Sequence, residues 1–358
     1  MTLMKKILVT GAGGSPSTNF IRSLRDMKEK IFIVGTDFDK YNINRSEADI
    51  SYLSPSCKDK NYIDYLNWII KKHDLQFMHV QNDTELEVVS QYRNALRITL
   101  FLPSEETVSN CMNKFQSYSK WQKNGLTVPK TLLISNINDL TKAYKDLGDK
   151  IWIRAISGAG GKGSLAPKDI NQARAWIDFH SGWGNFTASQ LLTPNSVTWM
   201  SIWNHGKLIV AQSRKRLYWE LGRISPSGIT GITGAGITVS DKAVDTIALQ
   251  TIKSIDTKPH GIFSVDLTYD FTGIPNPTEI NIGRFFTTHY FFTKAGINMP
   301  EIFVKLAYNE NLPVIKRKIN PLPPDLVWIR GVDFLPILTT RSKIEKHKQV
   351  MKKILQEL

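Results

Sequence analysis

The opening third of the sequence alternates short apolar β-like runs with helical stretches, and this alternation constrains the fold more than any other feature. Residues 7–9, 31–34, 77–80 and 98–102 read as strands, and 20–28, 62–72 and 86–93 read as helices. A strand that joins a parallel neighbour needs a crossover connection, and a helix between successive strands supplies one. The order therefore predicts an α/β fold built on a parallel sheet.

From Thr131 the pattern changes to helix, β run and glycine loop, with 151–155 leading into Ser157-Gly158-Ala159-Gly160-Gly161-Lys162-Gly163-Ser164, so a second domain is expected from near Asn113. Between 187 and 239 Thr, Ser, Gly and β-formers dominate, and two runs meet at His205-Gly206, which reads as a hairpin in a mostly antiparallel region. Helices are expected over 241–255 and 299–308, the latter with Pro300 at its start. A proline-rich link after Leu312 then leads to a last β run at 326–329 and a basic helix ending at Leu358.

At about 150 residues per domain, 358 residues make two or three domains. Lys and Arg number 46 against 32 Asp and Glu, and the surplus of +14 draws anionic partners without choosing among nucleotides, acidic metabolites, nucleic acid and anionic lipid. Cys57 and Cys111 are too few for a disulfide framework, a cysteine zinc site or an iron–sulfur cluster, which fits a reducing cytoplasm. No apolar run approaches the ~18 residues of a membrane span, and 7–9 is too short for a signal-peptide core, so a soluble cytoplasmic protein is expected.

Two glycine loops invite a phosphate. Gly11-Ala12-Gly13-Gly14-Ser15-Pro16 follows a strand, with Asp37 past the next strand, as in a dinucleotide fingerprint; its third glycine, however, is replaced by Pro16. A tight strand-to-helix turn accounts for it equally, since proline suits a helix's first turn. In the second loop, small residues let backbone amides approach phosphates while Arg154 and Lys162 supply charge. It is not a P-loop, because Lys162 precedes Gly163.

The most informative segment pairs Gly261-Ile262-Phe263-Ser264-Val265-Asp266 with Thr278-Glu279-Ile280-Asn281-Ile282. Side chains alternate along a strand, so an antiparallel hairpin brings Asp266, Glu279 and Asn281 to one face. Three oxygen donors suit Mg²⁺, with Mn²⁺ the alternative ion, and Arg284 just beyond can hold a transferring phosphoryl group. A solvated polar face on an amphipathic hairpin is the competing explanation.

In this order the features resemble the ATP-grasp superfamily, within it the branch similar to the carbamoyl-phosphate synthase large subunit, from Ile7 to about Tyr308. The resemblance implies an N-terminal Rossmann-like pre-ATP-grasp domain (1–112), an ATP-grasp small lobe with a glycine-rich flap (113–189), a large lobe with the Mg/ATP site (190–312) and a C-terminal extension with a basic helix (313–358). It makes Lys114, Arg154, Gly158, Gly160, Gly161, Lys162, Gly163, Gln190 and Leu192 ATP contacts, Asp266, Glu279 and Asn281 metal ligands, and Arg284 and Lys162 catalytic. Gln190 stands where the family often has Glu, Asn195-Ser196 where an acid commonly holds the ribose, and Ile282-Gly283 where the larger enzymes have one proline. The implied activity is that of a ligase: ATP phosphorylates a small-molecule carboxylate, and an amine or ammonia captures the acylphosphate. Arg214 and Arg216 are candidates to bind the acid, though a solvated charge cluster explains the triplet Arg214-Lys215-Arg216 as well. Substrate loops are expected at 15–19, 83–85 and 285–289; a homodimer is allowed and not required.

Two rivals stand beside this reading. A nucleotide-binding ATP-grasp protein without turnover would keep the same residues. A basic nucleic-acid-binding protein is suggested by the net charge and by Arg341, Lys343, Lys346, Lys348, Lys352 and Lys353. No nucleic-acid motif accompanies that tail, and Ile344, Val350, Met351, Ile354 and Leu355 fit a helix docked on the core with its basic face in water.

Overall fold

The structure is a computed structural model that describes residues 4–158, 160–161, 163–229, 231–331 and 339–358. Strands β1 (Lys5–Thr10), β2 (Ile31–Asp37), β3 (Ile50–Leu53), β4 (Phe77–His79) and β5 (Thr99–Leu100) form a parallel sheet in the order β3-β2-β1-β4-β5. Around it lie α1 (Ser15–Arg25), α2 (Tyr62–His73), α3 (Asp83–Gln91) and α4 (Glu105–Met112). Helix α1 starts five residues before the expected 20, with Pro16 in its first turn, where a missing N–H costs nothing. Strand β5 is shorter than the expected 98–102, because Pro103 follows and cannot continue a ladder.

Helix α5 (Lys114–Lys123) opens a small lobe of β6 (Thr131–Ile134), α6 (Ile137–Leu147), β7 (Ile151–Ala155), α7 (Ile170–Phe179) and β8 (Phe186–Gln190). Its antiparallel sheet runs β6-β8-β7. Ile134, Leu140, Ile153, Ile177, Phe186 and Ala188 form a hydrophobic cluster drawn from this lobe.

The large lobe carries β9 (Ser196–Asn204), β10 (Lys207–Trp219), β11 (Thr233–Val239), β12 (Gly261–Tyr269), β13 (Pro275–Ile282) and β14 (Val327–Ile329), ordered β13-β12-β9-β10-β11-β14. The β9–β10 turn falls at His205-Gly206, both at positive φ (46° and 87°), as a two-residue primed hairpin turn requires. Helices α8 (Lys242–Ile255), α9 (Tyr290–Lys294), α10 (Met299–Ala307) and α11 (Arg341–Glu357) complete the described chain. The late β run at 326–329 closes the large sheet: β14 pairs with β11, and Asn320 just before it donates to both carboxylate oxygens of Asp245 on α8.

The parallel sheet and the large sheet share one hydrophobic cluster, in which Ile7, Val9 and Phe77 pack with Met200, Ile202, Ile262 and Phe303. Phe303, 1% exposed on α10, meets Phe20, Phe77, Phe101 and Phe285 edge-on. Helix α11 docks through Ile354, with Met351 and Leu355 partly buried, whereas Val350, expected on the docked face, is 38% exposed. Among the described residues no helix is long and apolar enough to cross a membrane. Phe303→Ala should remove about 3–5 kcal/mol; because the cluster is common property, circular dichroism should show both sheets melting in one earlier transition.

Candidate active site

The hairpin of β12 and β13 forms the floor. Asp266 stands opposite Glu279 and Ser264 opposite Asn281, so the expected convergence on one face is what the register produces. A register shift follows Asp266, where the Thr278 hydroxyl donates to the Asp266 carbonyl at 3.1 Å. Pro275 and Pro277 are tolerated because β13 is an edge strand. Asn281 turns its amide nitrogen to Asp266 Oδ2 (2.9 Å) and its oxygen to Arg284 Nη2 (2.6 Å). Arg284 is clamped from the other side by both oxygens of Asp83, the first residue of α3. Burial opposes its charge, but Asp83, Glu279 and Asp266 together outweigh burial and raise its pKa.

Cations of the small lobe face this floor. Lys114 Nζ donates to the Gly158 carbonyl at 2.7 Å and lies 3.8 Å from Glu279; Arg154 Nη2 donates to the Thr278 carbonyl at 2.7 Å, and its Nη1 lies 3.9 Å from the same Glu279 carboxylate. Burial lowers the pKa of Arg154, with Glu279 and Asp266 acting the other way. Gly158, Gly160 and Gly161 line the cleft, and Lys162 lies outside the described residues. Gly163 does not line it: a Cβ there would press on Ala155 and Phe186, so it sits at the base of the flap. Two glycines of the flap and the large lobe meet closely: a Cβ on Gly161 would come 2.8 Å from the Ile229 carbonyl oxygen, and one on Gly231 2.8 Å from Gly160 Cα.

On the other side of the floor, Thr198 Oγ1 donates to Asp266 Oδ1 at 2.5 Å and accepts from Arg214 Nη2 at 2.8 Å. Arg214 is 2% exposed; its Nη1 donates to Thr233 and Thr288, and its guanidinium stacks on Phe286 at 4.6 Å. Burial, then Arg216, pushes its pKa down to about 9. Arg216 donates to Thr233 and Ser196 and stacks on Trp219 at 3.5 Å. The triplet is therefore split: Arg214 and Arg216 point into the cleft, and no solvated cluster forms. Gln190 and Leu192 line the same cavity of about 820 Å³, at the hinge, where Gln190 Oε1 accepts the Lys130 N–H.

Alternation along the strands reveals the carboxylates but not Thr198, Thr233, Thr288 or Asp83, which come from distant segments. The first glycine loop is closed on itself. Gly13 N–H donates to Asp37 at 3.1 Å, and a Cβ on Gly13 would lie 1.9 Å from the Asn42 carbonyl oxygen, so packing against residue 42 requires this glycine and the loop itself engages the acid.

A glycine flap over a cleft, a carboxylate hairpin for a floor and cations on the opposing lobe are the architecture of the ATP-grasp class. No protein-family model and no curated protein sequence matches the chain. Among solved structures it is similar to an L-amino acid ligase from Bacillus licheniformis, at 14% identity over 86% of this chain and 75% of that one, with a TM-score of 0.66. It is similar to the biotin carboxylase domain of the Hydrogenobacter thermophilus 2-oxoglutarate carboxylase in complex with MgADP (12%, 91% and 74%, TM-score 0.69). A third is carboxyaminoimidazole ribonucleotide synthase from Aspergillus clavatus with ATP (12%, 99% and 99%, TM-score 0.66). At such identities the likeness establishes the fold: the chain has the ATP-grasp fold.

Behind Asp83, Glu85 is 4% exposed and accepts from Tyr62 at 2.9 Å; burial pushes its carboxyl up to about 7. An unfolded glutamate titrates near ~4.3, so between these values the folded protein holds the extra proton and stability falls as pH rises. Above about 7 the loss is complete. Glu85→Gln should remove this decline: urea melts should show the variant gaining on the wild type at pH 8 and losing that margin by pH 4.5.

Proposed function

We propose that the protein is an ATP-dependent ligase that activates a small-molecule carboxylate as an acylphosphate and joins it to an amine or ammonia. The single observation that carries this reading is the pairing of Asp266 with Glu279 on adjacent strands, facing Lys114 and Arg154 across the cleft. The neighbours' complexes with ATP and with MgADP support the same cosubstrate here. The proposal assigns 1–112 to a pre-ATP-grasp domain, 113–189 and 190–312 to the two lobes and 313–358 to an extension.

The donor set fits a hard divalent cation: two carboxylates and an amide, all oxygen. Asn281's oxygen accepts one bond from Arg284 and keeps a second lone pair. Asp266, Glu279 and Asn281 would hold Mg²⁺, which when bound offsets charge on the phosphates. Lys114 and Arg154 would take phosphate oxygens, and Gly158, Gly160 and Gly161 would bring backbone close to them. Gln190 and Leu192 would border the base. Arg284, fixed by Asp83 and Asn281, would face the transferring group, and Arg214 and Arg216 would hold the acid.

A carboxylate oxygen attacks the γ-phosphorus, the bond to the departing ADP oxygen breaks, and an acylphosphate forms. The amine then attacks the acyl carbon, phosphate leaves with the C–O electron pair, and the nitrogen loses a proton. Phosphorylation supplies the leaving group that a carboxylate lacks, while catalysis rests on positioning and charge.

Without a cation, the two floor carboxylates repel a triphosphate at close range. Calorimetry should therefore show an ATP analogue binding with Mg²⁺ and not with EDTA; equal affinities would remove the cation from the reading. Glu279→Gln keeps size and hydrogen bonding but deletes the charge, so ADP release should fall by orders of magnitude while the apo melt moves little. Turnover within a few-fold of wild type would sink the assignment.

A further inference from the structure

Two guanidiniums lie side by side in this cleft with no carboxylate of their own. Arg214 and Arg216 both donate to one hydroxyl, Thr233 Oγ1, at 2.8 and 3.1 Å, and their other hydrogen-bond partners among the described residues are the hydroxyls of Thr198, Thr288 and Ser196. Phe286 and Trp219 each cover one flat face, at 4.6 and 3.5 Å, and hold the guanidiniums with their N–H edges available for recognition. On Arg214, which is 2% exposed, Nη1 is taken up by two threonines while Nε has no partner among the described residues. Nε and Nη2 form the side edge of a guanidinium, the edge on which a carboxylate docks with two parallel bonds. Arg216 likewise uses Nε and Nη1 and leaves Nη2 without a hydrogen bond among the described residues.

Two adjacent buried cations repel each other, and their burial is costly unless an anion compensates them. The nearest acid, Asp266, reaches Arg214 only through Thr198. On the ligase reading Asp266 serves a divalent cation, and the arginine pair is then left to the substrate. A carboxylate clamped between the two guanidiniums has its oxygens engaged and is a poor nucleophile, so an acid held there reacts through a second carboxylate.

From this arrangement we infer that the acid substrate is a dicarboxylate, its non-reacting carboxylate held by Arg214 and Arg216 and its reacting carboxylate turned toward Asp266 and Glu279. The inference rests on the ligase reading for the second half of that statement alone. The first half is a binding site that exists whether or not turnover occurs.

Chain-matched acids test it on the full-length protein: succinate, glutarate and adipate against butanoate, pentanoate and hexanoate, by calorimetry with MgADP present and by ADP release with ammonium. At least one dicarboxylate should bind about tenfold or more tightly than its monocarboxylate partner, the difference expected for losing one charge-assisted pair. Arg216→Gln, which keeps hydrogen-bonding capacity and spares the more deeply buried Arg214, should bring the two within about threefold. Equal affinity of each pair in the wild type, a preference unchanged in Arg216→Gln, or no binding of any dicarboxylate would overturn the inference. Dicarboxylate binding with Arg216 dependence but no ADP release with any acid would uphold the subsite and overturn the ligase. ADP release as fast with monocarboxylates would do the reverse.

Discussion

The short hydrogen bond from Thr198 to Asp266 is the constraint on which the site depends. At 2.5 Å it holds the carboxylate on β12 of the large sheet while the same hydroxyl oxygen accepts a hydrogen bond from Arg214. A hydroxyl thus stands between anion and cation, and Asn281 does the same between Asp266 and Arg284. Each bond of such a relay, with one charged partner, is worth about 1.5–3 kcal/mol, whereas breaking a direct buried ion pair costs about 3–5. Asp266 is therefore aimed without being locked, and its oxygens keep capacity for another partner. Asp83 and Arg284 are the contrast, a two-pronged pair that fixes the arginine across the boundary between the parallel sheet's helix and the large lobe.

The opposing lobe is arranged against its own stability. Lys114 is the first residue of α5, where a positive charge opposes the helix dipole by about 0.3–1 kcal/mol, and no acidic residue stands in that first turn. The Gly158 carbonyl and the Glu279 carboxylate offset part of this. Arg154 crosses the cleft to a backbone carbonyl of β13, so the rest position of the small lobe is itself defined by a charged side chain. Charges held at a local cost on facing walls are what a site built for a polyanion requires.

Much of this was legible in the sequence because the relevant patterns are short. The strand–helix alternation yields the parallel sheet, and period-two alternation puts Asp266, Glu279 and Asn281 on one face without knowledge of any other element. The glycine loop announces itself by composition, although which glycines face the cleft depends on Phe186 and Ala155 behind Gly163. What could not be read depends on distant pairing. Thr198, Thr233 and Thr288 look like ordinary strand and loop threonines until β9, β10 and β11 are laid side by side. Asp83 lies 201 residues from Arg284 in the chain. The first glycine loop misleads for the same reason: Asn42, outside the motif, packs against Gly13 where a Cβ would be, so a close backbone approach accounts for that glycine.

The cluster of the small lobe has a consequence for traffic through the cleft. Because Ile134, Leu140, Ile153, Ile177, Phe186 and Ala188 pack within the lobe itself, swinging it outward leaves that core intact, and the apolar contact it disturbs is Trp121 of α5 in the cluster shared with the large lobe. The polar contacts that part are Arg154 on the Thr278 carbonyl, Lys114 and Arg154 beside Glu279, and the flap glycines against Ile229 and Gly231. Water replaces each of these at once. Admission and discharge can therefore run at the pace of hinge motion, microseconds to milliseconds, with the global fold undisturbed.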